Sequence, residues 1–507
     1  MLSQDGVLKM RFNMKPWTWA STTAVVALLA ANPALADVTP EEVWDAWQEV
    51  YTSSGSTVTT GSVERDGDTL VITDFRATIE AEGTRSETEL AELRLRDAGD
   101  GSVEVTMAET ASFTSSTAAT ADAKEMGATG TVKMPGLSGI VSGTVDEMAY
   151  AFTAPSVEIA MELTEDGKPV GKVGILLSDT SATYELSGPA DAQELSGSFD
   201  AASAAFNLAV KDDTTDVVGS FNAADLSGEI AGDLTGMEEE EISNALAKGF
   251  AIDTSLSYGA LNYDFDIKDA AGPSKLTGAS TGGSFEMALD AARLLLAAGG
   301  KNVEATLSSA ELPFPEVKLS YAESGFNLTM PVGKGDAPQD FSVLTKIVDL
   351  QVSEEIWAMF DPTNALPHDP ATVIIDLAGK ALLKSDLMST PDDAPPDAEL
   401  HALEVKDITA RIGGAELTGK GAFTFDNSDL TTFEGVPAPT GTLNLKLVGG
   451  NTLLDKLVGM GLVGEEEAMG ARMMIAMFAN PGPGEDEMTS VLEFKDKGFY
   501  ANGQQLQ

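Results

Sequence analysis

Between Val317 and Met330 the chain reads VKLSYAESGFNLTM, and the alternation within it decides the fold. Val317, Leu319 and Tyr321 share one side of an extended backbone, and Phe326, Leu328 and Met330 resume the pattern after Ser324-Gly325. Successive side chains of a strand point to opposite faces, so a period of two marks a strand with one face buried. The stretch predicts a hairpin whose turn contains Ser324-Gly325. Working outward, SVEIAMEL sets Val157, Ile159, Met161 and Leu163 against Glu158 and Glu162. TLNLKL aligns Leu443, Leu445 and Leu447, and GAFTFDN aligns Phe423 and Phe425. The phrase GSF occurs at Gly197, Gly219 and Gly283, each time opening an apolar alternation. The 22-residue step from Gly197 to Gly219 accommodates two strands of about eight residues with short turns. It therefore predicts a structural unit one hairpin long, with its glycines at turns. A repeated catalytic unit would carry titratable or nucleophilic groups, and the copies share mainly Ser, Phe and Ala. The expected fold is mainly β: elongated, curved antiparallel sheets built of hairpins, with a few covering α-helices.

Helical spacing interrupts this pattern. Thr39 with Glu42 makes a capping box and Pro40 suits the first helical position. Val43, Trp44, Trp47, Val50 and Tyr51 then form one apolar stripe, which predicts a plug or lid. Three further helical segments are expected. TGMEEEEISNALAKGF begins at the candidate cap Thr235, with Glu238 three residues on; SVLTKIVDLQVSEEIWAMFDP runs from Ser342, carries Trp357 and stops at Pro362. NTLLDKLVGMGLVGEEEAMGARMMIAMFANPGPG, from Asn451, reads as a helical pair broken at Gly459 to Gly464. Its Met469, Met473, Met474 and Met477 suit either a core or an adaptable lipid-facing surface, because methionine fits many shapes; the core reading is favoured. STPDDAPPDAE from Ser389 is an expected exposed linker.

The first 36 residues have the form of an export signal. Lys9, Arg11 and Lys15 precede the apolar TTAVVALLAA, and Ala34-Leu35-Ala36 gives a small-residue cleavage site after Ala36; Met10 or Met14 would serve as a later initiator. The apolar run is shorter than the roughly 20 residues that span a bilayer. The expectation is a mature chain with no transmembrane helix, located in a bacterial periplasm. With no cysteine there is neither a disulfide framework nor a lipidated cysteine. Thirty-one basic against 80 acidic residues give a net charge of −49, which argues against nucleic acid as a partner and against attraction to an anionic membrane. ERDGDTL at Glu64 and RDAGDGS at Arg96 are fragments of a calcium loop, and neither completes it. Two units are expected beyond the signal: an acidic hairpin-repeat region with its opening helix over 37–300, and a β region with helices over 301–507.

Candidate chemistry is sparse. GASTGG has the G-x-S-x-G form of a nucleophile elbow around Ser280, but the surroundings lack strand-helix alternation, and a glycine-rich turn is the better account. His368 in NALPHDPAT lies between prolines and reads as part of a rigid turn. His368 and His401 are the two histidines, too few without cysteine for a zinc site, and the glycine-lysine pairs at Lys301 and Lys334 lack phosphate-loop spacing. No catalytic residue, metal or cofactor is expected. Trp44, Trp47, Trp357, Met469, Met473 and Met477 are the candidate lining for an apolar ligand.

The C-terminal half resembles domain-of-unknown-function family 2125, a family of bacterial envelope proteins. IWAMFDPTNALPHDPATVIIDLAGKALL from Ile356, GAELTGKGAFTFDN from Gly414 and PTGTLNLKLVGGNTLLDKLVGMGLV from Pro439 carry the resemblance, and the closing DKGFYANGQQLQ adds a strand ending in an Asn-Gly turn. The resemblance implies an exported protein with curved antiparallel sheets, and it supplies no catalytic residue. The expected function is that of a non-enzymatic envelope protein that binds or shields an apolar, lipid-like ligand or acts as a periplasmic scaffold. The expected partner is a lipid or an envelope protein. A transmembrane β-barrel, a serine hydrolase using Ser280 and an adhesin-like surface module are the alternatives.

Overall fold

The computed structural model describes residues 37–507 except 54, 82, 120–123, 190–191, 213, 238, 240 and 390–396. The export signal read in residues 1–36 and most of the linker after Ser389 lie outside the described residues. What is described is mainly β: 27 strands joined edge to edge into a single antiparallel sheet. Five helices accompany it: α1 (Pro40–Ser53), α2 (Ile242–Lys248), α3 (Glu354–Phe360), α4 (Gly450–Gly459) and α5 (Glu465–Phe478). The sheet runs through the division drawn at residue 300, since Gly300 and Lys301 are consecutive in the strand Arg293–Ser309. It does not close on itself. Among the described residues, strand Thr57–Thr59 pairs with Thr69–Ala81 at one end and Gln504–Gln505 pairs with Gly498–Ala501 at the other, so the sheet has two edges, which a closed barrel does not.

The strands are longer than the sequence pattern suggests. Glu194–Lys211 and Asp216–Asp233 each have 18 residues, so the interval from Gly197 to Gly219 is one strand and one turn, not a hairpin of two short strands. Gly197, Gly219 and Gly283 lie within strands, not at turns. Likewise Val317–Pro331 is a single strand, with Ser324 and Gly325 paired on both sides, and the expected hairpin there does not exist.

These corrections share one cause. In many of the long strands the apolar alternation slips by one residue near mid-length. Inward positions run Val173, Ile175, Leu177 and then Thr180, Ala182, Tyr184; Gly219, Phe221, Ala223 and then Leu226, Gly228, Ile230; Val317, Leu319, Tyr321 and then Ser324, Phe326, Leu328. The slip is marked by Asp74, Asp179, Asp225, Asn302 and Asp349, which have φ of 49°, 46°, 51°, 46° and 54°. An extra residue in a strand bends it and increases its twist, and Asp and Asn are the residues other than glycine that enter left-handed backbone most readily. The slips align across neighbouring strands, Asp179 lying between Ser178↔Ser203 and Thr180↔Ala201 and Asp225 between Ser203↔Ala224 and Ala201↔Leu226. The sheet is thus creased along one line and has two wings.

At two places the crease becomes a break in the strand. Strand Thr84–Asp97 pairs end to end with Thr110–Thr117 and Val103–Met107; these pair with Met126–Lys133 and Ser138–Thr144, and both of those meet Glu147–Glu165. Asp216–Asp233 splits in the same way onto Leu261–Asp269 and Ala251–Tyr258, then Gly272–Ser280 and Gly282–Leu289, which rejoin on Arg293–Ser309. The repeated unit is this six-strand arrangement.

Candidate functional site

The inner side of the crease is the apolar face. Ala154, Val157, Thr180, Ala201, Ala223 and Ser280 flank it and are all buried. They are mostly small, which allows the wings to approach. At the N-terminal end α1 fills the angle between them. Its capping box forms as expected, with the Thr39 amide donating to Glu42 Oε2 at 2.8 Å and the Glu42 amide to Thr39 Oγ1 at 3.3 Å. Trp44 meets Phe75 edge-on, centroids 6.0 Å apart, and the Tyr51 ring lies 5.4 Å from the same phenylalanine. Val43, Ile72, Leu95, Val103, Val105 and Val141 complete a fully closed core there.

Followed away from α1, the same face opens. Cross-strand partners define one continuous row: Phe152, Ala182, Phe199, Gly228, Leu256, Phe285, Ala298, Phe326, Thr345, Ile375. Directly opposed residues point to the same face, so the row samples one surface. Phe152 and Ala182 are 7% and 6% exposed, whereas Leu256, Phe285, Phe326 and Ile375 are 44%, 45%, 42% and 41% exposed. Leu307, Leu319 and Val373 on the same face are exposed as well. The result is a crease plugged at one end by a helix and uncovered over its middle. Its floor contains rings laid flat across glycines: a Cβ at Gly219 would fall 2.2 Å from the Phe265 ring, and one at Gly278 2.4 Å from that of Tyr263.

The opposite face carries ion pairs, with Leu176 and Val218 exposed among them. Glu162 binds Lys172 at 2.8 Å, and Lys275 reaches Asp264 at 2.5 Å and Asp266 at 3.2 Å. A recess of 930 Å³ lies on this side over Ala160, Gly174, Asn207 and Ser220, between those ion pairs. It is shallow and its charges are already paired.

The six candidate lining residues are not gathered into one place. Trp44 is buried in the plug and Trp47 packs partly buried beside it. The segment from Ser342 is strand as far as Val352 and only then helix, so Trp357 sits on the short α3, stacked on His368 with centroids 4.2 Å apart. Met469, Met473 and Met477 project from the outer side of α5 with Met474; all four are exposed, and the core reading of them was wrong. The helical pair α4–α5 forms as expected, whereas α2 is seven residues long with Glu241, not Thr235, as its cap. The residues that the sequence reading did not name as lining are the open row, Leu256, Phe285, Phe326 and Ile375. Their signal was ordinary alternation, which does not say whether a face is covered.

Among the described residues Ser280 and the two histidines lie on separate elements. Ser280 ends a strand, the next strand begins at Gly282, and its buried hydroxyl has no hydrogen-bond partner among the described residues. An elbow serine needs a strand-to-helix turn and a base within reach. His368 Nδ1 lies 3.0 Å from Glu354, and Asp361 accepts from the Ala365 and Leu366 amides at 2.8 and 2.7 Å, which ties the turn down. Burial pushes the Asp361 carboxyl up, but these amides, His368 and Thr363 outweigh it and hold the group below the ordinary carboxylate range. His401 lies beside Glu399 in another strand. Among the described residues no three His, Asp or Glu side chains are placed to hold a metal ion, and no helix is long and apolar enough to cross a membrane.

Compared with known proteins, residues 256–502 match the model of the family DUF2125, described as an uncharacterized protein conserved in bacteria. This is the family and the region that the C-terminal motifs resemble. Among curated proteins none matches the chain.

Proposed function

We propose that this chain is a non-enzymatic protein of the bacterial envelope that holds lipid-like molecules by their acyl chains along the open part of its crease. The observation that carries the reading is the graded row, in which one apolar surface goes from 6–7% exposed beside α1 to 41–45% exposed over its middle. Exposed apolar surface of this extent is a mark of a binding site. From Ala251–Tyr258 to Ala371–Leu383 the open face crosses the rows of strands headed by Leu256, Phe285, Ala298, Phe326, Thr345 and Ile375. Rows are about 4.8 Å apart, so the opening is about 25 to 30 Å wide, against about 15 Å for one acyl chain, half of a bilayer core. The opposite face, with its paired and solvated acids, keeps the protein dissolved while the open face stays free.

The test is ligand content. Native mass spectrometry of the protein from a periplasmic fraction should show lipid adducts. Delipidated protein should take up a fluorescent fatty acid, and Leu256→Asp with Phe285→Asp should lose that uptake without loss of β circular dichroism. Protein that carries no adduct and takes up no fatty acid refutes the reading.

A further inference from the structure

The open face leads to a helical rim, and the surface of that rim is unlike the rest of the molecule. Strand Gln339–Val352 runs directly into α3, whose Met359 and Phe360 are exposed. The turn after α3 joins α4: Leu366 and Leu453 both lie against Gly413. Beyond α4, Leu462 is exposed, and on α5 Met469, Met473 and Met477 form a stripe at four-residue spacing. The inner side of α5 carries the buried Ala468 and the half-buried Ile475 and Phe478, so beyond its acidic first turn this helix is apolar on both its inner and its outer side. Such a helix on a water-facing surface calls for a cover on its outer side. Charge narrows what the cover is. In a chain of net charge −49, the only charged residue from Ala468 to Gly484 is Arg472, which reaches Asp455 on α4 at 2.5 Å. The acids of α5 are confined to Glu465, Glu466 and Glu467 at its start.

We propose that the α3–α5 rim docks on the surface of a lipid bilayer with zwitterionic headgroups, the methionines entering the boundary between headgroups and acyl chains. An amphipathic surface of this kind binds through the apolar area it buries, and methionine adapts to a disordered partner. The stretch from Ala468 to Gly484, which has no acid, is the part of the rim that a phosphate-bearing surface repels least, so the remaining negative charge orients the protein with this stretch first. This inference rests on the acyl-chain reading for its purpose: a crease closed by α1 at one end and leading to the rim at the other exchanges its contents where the rim meets the bilayer. The docking itself stands or falls separately.

The experiment is flotation of the purified mature chain with phosphatidylcholine vesicles, alone and with phosphatidylglycerol added. The wild type should float with phosphatidylcholine, and phosphatidylglycerol should weaken binding at low salt. The triple variant Met469→Ser, Met473→Ser, Met477→Ser, whose side chains are exposed and whose fold is checked by circular dichroism, should bind at least about thirtyfold less, at roughly threefold or more per methionine. The crease variant Leu256→Asp with Phe285→Asp should float like the wild type, which separates docking from uptake. No flotation of the wild type, equal flotation of the triple variant, or tighter binding to phosphatidylglycerol vesicles overturns the proposal. So does a wild-type dimer that the triple variant converts to monomer, because a second copy would then be the cover.

Discussion

Truncating two phenylalanines of one register row tests whether the crease is open. Phe152 is 7% exposed and packed into the core beneath α1, so Phe152→Ala should cost about 3–5 kcal/mol, combining lost transfer energy with the cavity left behind. Phe326 lies further along the row and is 42% exposed. Full burial of such a side chain is worth about 1.5–3 kcal/mol, little more than half of which is realised here, and the space it vacates opens to solvent. Phe326→Ala should therefore cost only about 1–2 kcal/mol in ligand-free protein. A long sheet whose strands contact mainly their neighbours opens locally, so a global melting curve would blur the two effects. Hydrogen exchange read by mass spectrometry over Glu147–Glu165 and Val317–Pro331 resolves them. Adding a fatty acid should then raise protection over Val317–Pro331 in the wild type, less so in Phe326→Ala, and leave Glu147–Glu165 unchanged, since a ligand stabilises only what it binds. If the two truncations cost the same without ligand, Phe326 is covered and the argument for an open site fails.

Three further outcomes follow from the geometry. A methyl at Gly219 meets the Phe265 ring whereas one at Gly174 finds nothing nearer than Asn207 Cβ at 4.0 Å, so Gly219→Ala should lose about 1–3 kcal/mol and Gly174→Ala should be neutral or gain up to about 1 kcal/mol, as read by urea midpoints. At the crease Asp225 has φ 51°, so Asp225→Val should cost about 1–2 kcal/mol while Asp225→Gly is tolerated; equal losses in the two would show that the left-handed backbone is not what the position requires. Asp361 has a depressed folded-state pKa, so its stabilisation of the turn is present above the ordinary aspartate value of about 4 and is lost as pH falls from there through the folded value. Trp357 fluorescence should report this loosening below about pH 4, and Asp361→Asn should remove that acid transition; a transition unchanged in the variant would assign it to other carboxylates.

The mainly β architecture, the capped opening helix and the α4–α5 pair were legible because each rests on local periodicity or capping chemistry. Strand length was not. In VKLSYAESGFNLTM the apolar set moves from odd to even positions, and two explanations of such a slip look alike in sequence: a turn that ends one strand and starts another, or an extra residue within one strand. Pairing partners distinguish them, and partners are not visible in one chain. Asp179, Asp225, Asn302 and Asp349 carried a usable hint, since an Asp or Asn recurs at the slip whereas the hairpin reading of Val317–Met330 placed Ser-Gly there. The segment from Ser342 to Pro362 misled for a related reason: Val343, Ile347 and Leu350 mimic helical spacing because the slip at Asp349 interrupts their period of two. The open row was illegible for a different reason. Alternation places Leu256, Phe285 and Phe199 each on the apolar side of its own strand, but cover depends on where α1 lies, which is a property of the tertiary fold.

The acids therefore have separable roles. A few of them, at the crease, set backbone shape: Asp74, Asp179, Asp225 and Asp349 bend strands that would otherwise lie flat. Some, such as Asp361, tie down turns, and many of the rest face solvent, where their use is collective. An open sheet with an uncovered apolar face has two routes to aggregation, through that face and through its edges. The edges here are short, and Ser62–Asp66 at one of them carries Glu64, Arg65 and Asp66. The face itself cannot be made polar without losing what it binds, so self-repulsion across a surface of net charge −49 is the remaining protection. Salt screens that repulsion over a Debye length of about 8 Å at physiological ionic strength, while apolar attraction is not screened. The charge thus serves the site without touching anything the site holds.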